Sequence, residues 1–134
     1  MNVLNVNDRQ DSKIEKYPYK GKSLEVKGVW IRWLSMGGPA NSPEYGLRYF
    51  TIEPGGEIPI HNHPYLQTTY ILSGRLLVVS YDPDTDQVVE EKVMGANDFV
   101  FVPTMEPHSM RNLSDTEPVH FLCCIANVYP KETI

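Results

Sequence analysis

The feature that most constrains the fold is a regular alternation of short apolar runs with turn-forming residues. Glycine, proline, asparagine and aspartate separate the runs, and the chain's 11 prolines would interrupt any long helix. Many short strands at close spacing predict an all-β sandwich or barrel. The predicted strands are Gly28–Leu34, Leu47–Ile52, Thr68–Leu72, Leu76–Tyr81, Val88–Val93, Phe99–Val102, Ser109–Asn112 and Val119–Val128.

The first 22 residues differ in texture from the rest of the chain. They are polar, with alternating acidic and basic residues, and end in a Tyr-Pro-Tyr stretch. We interpret residues 1–22 as an N-terminal arm that is loose alone or ordered against another surface. Residues 23–134 then form the barrel domain, because a chain of this length is large enough for one core.

Composition argues against several classes of partner. The net charge of −5 is spread over interspersed acids and lysines, so we expect no nucleic-acid surface. We expect no membrane partner and a cytoplasmic location, because no apolar stretch could span a bilayer and no secretory signal opens the chain. Cys123 and Cys124 are adjacent and cannot form an ordinary disulfide, which favours free thiols in a reducing compartment.

Three of the four histidines lie in contexts that suggest metal binding. His61 and His63 are two residues apart among prolines and glycines that exclude a helix. On a strand this spacing places both imidazoles on one face, where they can occupy adjacent positions on one ion. The pair alone is a weak signal, because surface histidine pairs are common. His120 alternates with apolar neighbours on the last strand and is better interpreted as a surface or interface residue.

The surrounding residues make the histidine signal much stronger. The first block contains Gly55, His61, His63, Gln67 and Gly74, and the second contains Asp98, Pro103, His108 and Asn112. These blocks resemble the two motifs of the cupin superfamily, G-x5-H-x-H-x3–4-E-x6-G and G-x5–7-P-x-G-x2-H-x3-N. The segments around Leu47–Gly56 and Phe121–Ile125 are similar to small single-domain manganese cupins. The resemblance implies a double-stranded β-helix, or jelly-roll, barrel.

The chain departs from these motifs at three positions. The second motif usually has glycine at the positions of Met105 and Asn97. Methionine in place of glycine at position 105 is expected to change the conformation of the turn before His108. Gln67 stands where the first motif usually has glutamate, which changes the charge of the site.

The resemblance implies that His61, His63, Gln67 and His108 bind one divalent metal ion, with manganese or iron favoured and zinc or nickel possible. Two alternatives stay open: Gln67 hydrogen-bonds locally and leaves a three-histidine site, or His108 is a surface residue after a proline-containing turn. Four uncharged ligands leave the ion its full charge and about two open positions for substrate.

These features suggest a metal-dependent enzyme acting on a small molecule, and we expect an oxidoreductase resembling a dioxygenase. A non-redox isomerase or lyase acting on a sugar acid or similar metabolite is the alternative, as is a non-catalytic binding module. We expect a homodimer, as is common among small cupins.

The alternation of side chains on the last strand predicts which residues face the barrel interior: Val119, Phe121, Cys123 and Ile125. The candidate substrate contacts, each of which could equally be a surface or dimer residue, are Trp33, Arg48, Tyr70 and Arg75.

Overall fold

The computed structural model describes residues 1–35 and 44–126, and within these ranges the chain is built almost entirely of β-strands. A single-turn 3-10 helix at Val6–Asp8 is the exception. No helix in the described ranges is both long and apolar enough to cross a membrane. The all-β prediction is confirmed. The strands are β1 (Ser12–Tyr19), β2 (Lys22–Trp33), β3 (Tyr45–His61), β4 (Gln67–Ser73), β5 (Leu76–Tyr81), β6 (Val88–Met94), β7 (Phe99–Val102), β8 (His108–Asn112) and β9 (Val119–Ala126).

The strands pair in an antiparallel sheet in the order β6-β5-β8-β3-β9-β4-β7, which curls into a nearly closed barrel. The long strand β3 organises it, because Tyr45–Ile52 pair with β9 whereas Glu57–His61 pair with β8. Gly55 lies between these halves at φ +71°, a left-handed conformation that glycine adopts without steric strain. The sheet can therefore bend there and change partner within one strand.

The N-terminal residues contribute a strand of their own. β1 pairs with β2, and β2 in turn pairs with β3. This brings Tyr17 of β1 against the histidine cluster. The division into an arm (1–22) and a barrel domain stays a prediction.

The barrel interior is filled by alternate residues of the strands. Phe50 and Phe121 are almost fully buried and stack with ring centroids 4.9 Å apart. The inward parity predicted for β9 is confirmed, with Cys123 buried and Cys124 exposed. On β3, where the sequence left the inward face undecided, Arg48 points inward with Phe50 and is only 3% exposed.

Several strand boundaries differ from the sequence prediction. β1 lies within the predicted arm, and β2 begins at Lys22 rather than at Gly28 because its first residues pair with β1. β3 continues nine residues past Ile52 to His61, because the Pro-Gly-Gly stretch bends the strand without ending it. The last two residues of the predicted run Val119–Val128 lie outside the described residues.

Candidate metal centre

Three histidines converge at one end of the barrel. His61 is the last residue of β3 and pairs with His108, the first residue of β8. His63 follows two residues after the end of β3, and the ligand nitrogens of all three lie within 4.8 Å of one another. They could hold a metal ion together, because His ligands bind at about 2.0–2.1 Å from a central ion.

Backbone carbonyl groups orient two of these imidazoles. Nδ1 of His61 donates to the carbonyl oxygen of Pro59 at 2.8 Å, and Nδ1 of His108 donates to that of Glu106 at 2.9 Å. A carbonyl oxygen can only accept, so each Nδ1 must carry the proton. In the neutral ring the other nitrogen, Nε2, then carries a lone pair and no proton, which is the tautomer that a metal ligand requires.

The cluster is held in its uncharged form. Burial, with His108 nearby, lowers the pKa of His61 from 6.5 to about 3. Burial and the two neighbouring histidines lower the pKa of His63 to about 2. Burial also lowers the pKa of His108. All three imidazoles are therefore neutral at pH 7 and able to donate a lone pair to a cation.

Gln67 points into the same cluster and is 4% exposed. Its Nε2 lies 3.2 Å from Nε2 of His108 and donates to it, while its Oε1 is buried without a partner among the described residues. A buried carbonyl oxygen without a partner is unfavourable by about 1–3 kcal/mol. Rotation of the amide would bring this oxygen to the place of Nε2, so the residue fits a metal ligand.

Met105, which stands where the second motif usually has glycine, adopts a backbone conformation that favours glycine. Met105 has φ +65°, in the left-handed region that side chains other than glycine adopt rarely. Its N–H donates to the carbonyl oxygen of His63 at 2.7 Å, which ties the two motif segments together. Asn97 adopts φ +73°, a conformation that asparagine tolerates well. Both replacements therefore keep the backbone form that the motif needs.

Two tyrosines cover the histidines, and the sequence analysis missed both. Tyr17 stacks on His61 and Tyr65 stacks on His63, each with centroids 4.7 Å apart. Burial raises the pKa of both phenols, against the opposing effect of the Arg48 charge, so both are protonated at neutral pH. The proximity of Tyr65 to the H-x-H pair was a usable signal. Nothing in the sequence linked Tyr17 to the site.

Arg48 is the one predicted substrate contact that lies directly beside the cluster. Its Nη2 donates to Sγ of Cys123 at 2.8 Å. Its guanidinium carbon lies 5.5 Å from the ring of Trp33 and 5.1 Å from that of Phe50. Trp33 thus reaches the site through Arg48. The cavity that this residue shares with the histidines has a volume of about 10 Å³, close to the space of a single water molecule.

The other candidates lie elsewhere. Arg75 is exposed, and the hydroxyl of Tyr70 donates to Asn97 on the surface. His120 is 3.0 Å from the Thr51 hydroxyl through Nδ1 and stacks on Tyr49. It is only partly buried and is absent from the histidine cluster, in keeping with a surface or interface position.

Comparison with known proteins gives a consistent picture. The polyketide cyclase RemF of Streptomyces resistomycificus superposes with a TM-score of 0.73 at 21% identity, over 99% of this chain and 89% of that one. The cupin-2 domain protein Rru_A2000 of Rhodospirillum rubrum gives 0.69 at 20% identity, over 97% and 77% of the two chains. A variant of the oxalate decarboxylase of Bacillus subtilis gives 0.69 at 17% identity, over 99% of this chain but 32% of that one.

At these identities the superpositions establish the fold only. No curated protein sequence matches the chain. The sequence model of the cupin domain, however, matches residues 48–125, which is more than half of the chain and includes all four candidate ligands. The chain therefore belongs to the cupin family.

Proposed function

We propose that this protein is a metal-dependent enzyme that acts on a small organic molecule, with His61, His63, Gln67 and His108 as the metal ligands. The convergence of three neutral imidazoles beside an unpartnered amide oxygen carries this proposal. The buried amide oxygen of Gln67 is unfavourable without a partner, and a cation held by the neutral imidazoles would satisfy it.

The chemistry of the ligands points to a Lewis-acid centre. All four are uncharged, so a divalent ion bound there keeps its full charge and can polarise an oxygen of the substrate. Arg48 adds a second positive charge to the same cavity, and no described carboxylate lines that cavity. The protein thus surrounds the reaction space with positive potential, which stabilises negative charge that develops on a bound molecule.

The tyrosines give the chain a source of protons. Their hydroxyl groups are protonated at neutral pH and lie near Arg48. A protonated phenol can donate a hydrogen bond, or a proton, to an oxygen that becomes more basic during a reaction. Tyr17 and Tyr65 also shield the histidines from solvent through their stacking.

These features favour a non-redox reaction, such as that of an isomerase, lyase or cyclase, over the oxidoreductase that we expected from the sequence. The superposition with a polyketide cyclase over most of both chains is in keeping with this choice. The oxidoreductase stays the second candidate, because neutral ligands favour the lower oxidation state of manganese or iron. Protein purified without added ions should contain zinc or nickel in the first case and manganese or iron in the second.

The ligand assignment is tested by metal content. We expect His108→Ala to lose most of its bound metal, measured by elemental analysis after dialysis against a trace of the native ion. His120→Ala is the matched control, because its ring lies outside the cluster, and it should retain wild-type occupancy. Equal occupancy in the two variants would overturn the assignment. A wild-type protein that takes up no divalent ion would overturn the whole proposal.

Two wider expectations accompany this function. A homodimer would cover apolar side chains exposed on β6 and β7, the two ends of the strand order, and a solution mass near 15.3 kDa would contradict it. The exposed side chains are Val89, Val93, Phe99 and Phe101. The cytoplasmic location stays a prediction from the sequence, which fractionation of the native cells would test.

A further inference from the structure

The unsatisfied polar atoms of the barrel are concentrated in one place. Among the described residues, three buried side-chain polar atoms have no hydrogen-bond partner: Nε of Arg48, Oε1 of Gln67 and Oγ1 of Thr69. All three residues line the cavity that contains His61 and His63. Buried polar groups in proteins are nearly always paired, so three such atoms around one cavity indicate a missing ligand. The metal accounts for Gln67 and leaves the other two unexplained.

Strand register brings these two residues into one row on the inner face. Arg48 of β3 lies opposite Cys123 of β9, and Cys123 lies opposite Thr69 of β4. Gln67 precedes Thr69 by two residues on the same strand and therefore projects from the same face. The row thus lies directly beside the proposed metal ligands.

The positive charge of Arg48 in this row favours an anionic ligand. Arg48 is 3% exposed and its guanidinium stays protonated in proteins. No carboxylate of the described chain forms an ion pair with it, and its bond to the Cys123 sulfur involves only a weak acceptor. Its guanidinium also lies near the hydroxyl groups of Tyr17 and Tyr65, neither of which is a carboxylate. A buried guanidinium without an anionic partner is unfavourable even beside the rings of Trp33 and Phe50, whereas its geometry matches the two oxygens of a carboxylate.

We propose that Arg48 and Thr69 form an anion subsite that binds the carboxylate of a small organic acid beside the metal centre. Nε of Arg48 and the Thr69 hydroxyl supply the hydrogen bonds that now have no acceptor. The catalytic meaning of the subsite rests on the proposed function, because the acid would present its reacting oxygen to the metal. Its capacity to bind a carboxylate does not depend on the metal.

Entry of such a ligand requires the cavity to open. A volume of about 10 Å³ holds no more than a water molecule. Tyr65 is the side chain placed to move, since it lies on the segment between β3 and β4, outside any strand, and is only partly buried. Its displacement from His63 would expose the histidines and Arg48 together.

The test uses glycolate as the acid and glycolamide, its uncharged isostere, as the matched ligand. We expect calorimetry on the full chain to show at least tenfold tighter binding of glycolate, with and without zinc. Arg48→Met should reduce glycolate affinity at least tenfold, and Thr69→Val severalfold, with recovery in Thr69→Ser. Arg75→Met removes an exposed arginine and should leave the affinity unchanged.

The outcomes separate this subsite from the metal centre. Equal binding of glycolate and glycolamide, or full affinity in Arg48→Met, overturns the subsite. Absence of glycolate binding while zinc still binds also overturns it and leaves the metal centre intact. Glycolate binding without any metal uptake supports the subsite and overturns the proposed function. Inorganic phosphate binding as tightly as glycolate overturns the assignment to a carboxylate. If Arg48→Met does not fold, the comparison of Thr69→Val with Thr69→Ser tests the subsite, and equal glycolate affinity in these two variants overturns it.

Discussion

The barrel interior has two parts that obey different rules. The apolar part, around Phe50, Ile52, Ile71, Val119 and Phe121, is closely packed, with every member at most 3% exposed. The site part, around the histidines, Gln67, Thr69 and Arg48, is also buried except at His63, which is partly exposed, and it contains every unpartnered buried side-chain polar atom of the described residues. One part stabilises the fold, and the other gives up stability for a site that is ready to bind.

The sharpest test of the apolar part is Phe121→Ala. The side chain is 1% exposed and stacks on Phe50, so its removal leaves a cavity in a closely packed region. We expect the free energy of unfolding to fall by about 3–5 kcal/mol in urea denaturation. Phe101→Ala is the control, because that ring is 54% exposed and its loss should have an effect below about 1 kcal/mol. Similar effects of the two changes would contradict the division.

Asn112 offers a second test, because it is a motif residue whose contacts are structural. Its Nδ2 donates to the carbonyl oxygens of Ile52, Glu53 and Glu117, at 2.8 to 3.1 Å. Asn112→Ala leaves these acceptors without a donor, and we expect a loss of about 2–3 kcal/mol of stability. Metal content should stay at the wild-type level in the folded variant. Asn7→Ala, at an exposed position, should change neither quantity.

The pH dependence of stability in the metal-free protein tests the site part. The histidines have folded-state pKa values below their ordinary 6.5, so the unfolded chain binds more protons below that pH. Stability should therefore fall as the pH falls from 6.5 towards 3, by about 1 kcal/mol for each of His61 and His63 over the first pH unit. Urea denaturation at pH 6.5 and about 5.5 measures this. A double variant, His61→Asn with His63→Asn, should show a shallower slope, and an unchanged slope would contradict the neutral cluster.

Arg48→Met should have the smallest effect on the free energy of unfolding, and the sign of that effect is the most informative. This change removes a buried charge that lacks an anionic partner and keeps an apolar side chain in its place. We expect stability in urea to stay constant or rise by about 1 kcal/mol, because the desolvation of the charge no longer opposes folding. A loss as large as that of Phe121→Ala would mean that Arg48 holds the fold together and would remove the contrast between the two parts.

The barrel and the candidate ligands were predictable to different degrees. Period-2 alternation on β9 predicted which of Cys123 and Cys124 turns inward, because a strand with one buried face has only one acceptable parity. The same rule failed to choose a face on β3. Both faces there carry large side chains, and the inward face includes Arg48, which hydrophobicity alone would place outside. Only the pairing with β9 resolves it.

The site shows the same limit. Motif spacing selected His61, His63, Gln67 and His108 because their positions relative to turns are local properties of the chain. Tyr17 could not be found in this way, since it reaches His61 through the pairing of β1 with β2. Thr69 lies two residues after Gln67 on the same strand, so its spacing was a local signal. That signal points to ligand binding only together with the absence of a hydrogen-bond partner for its hydroxyl group.

The sequence by itself determined the all-β class, the approximate positions of eight of the nine described strands and the residues that could bind a metal, because turn chemistry, alternation and spacing act over a few neighbouring residues. Tertiary structure alone decided that Arg48 lies inside the barrel without an anion, that Tyr17 covers His61, and that the unpaired polar atoms share one cavity. These facts depend on contacts between strands that are distant in sequence. Spacing and alternation within one strand do not specify which strands pair, so they could not predict these contacts.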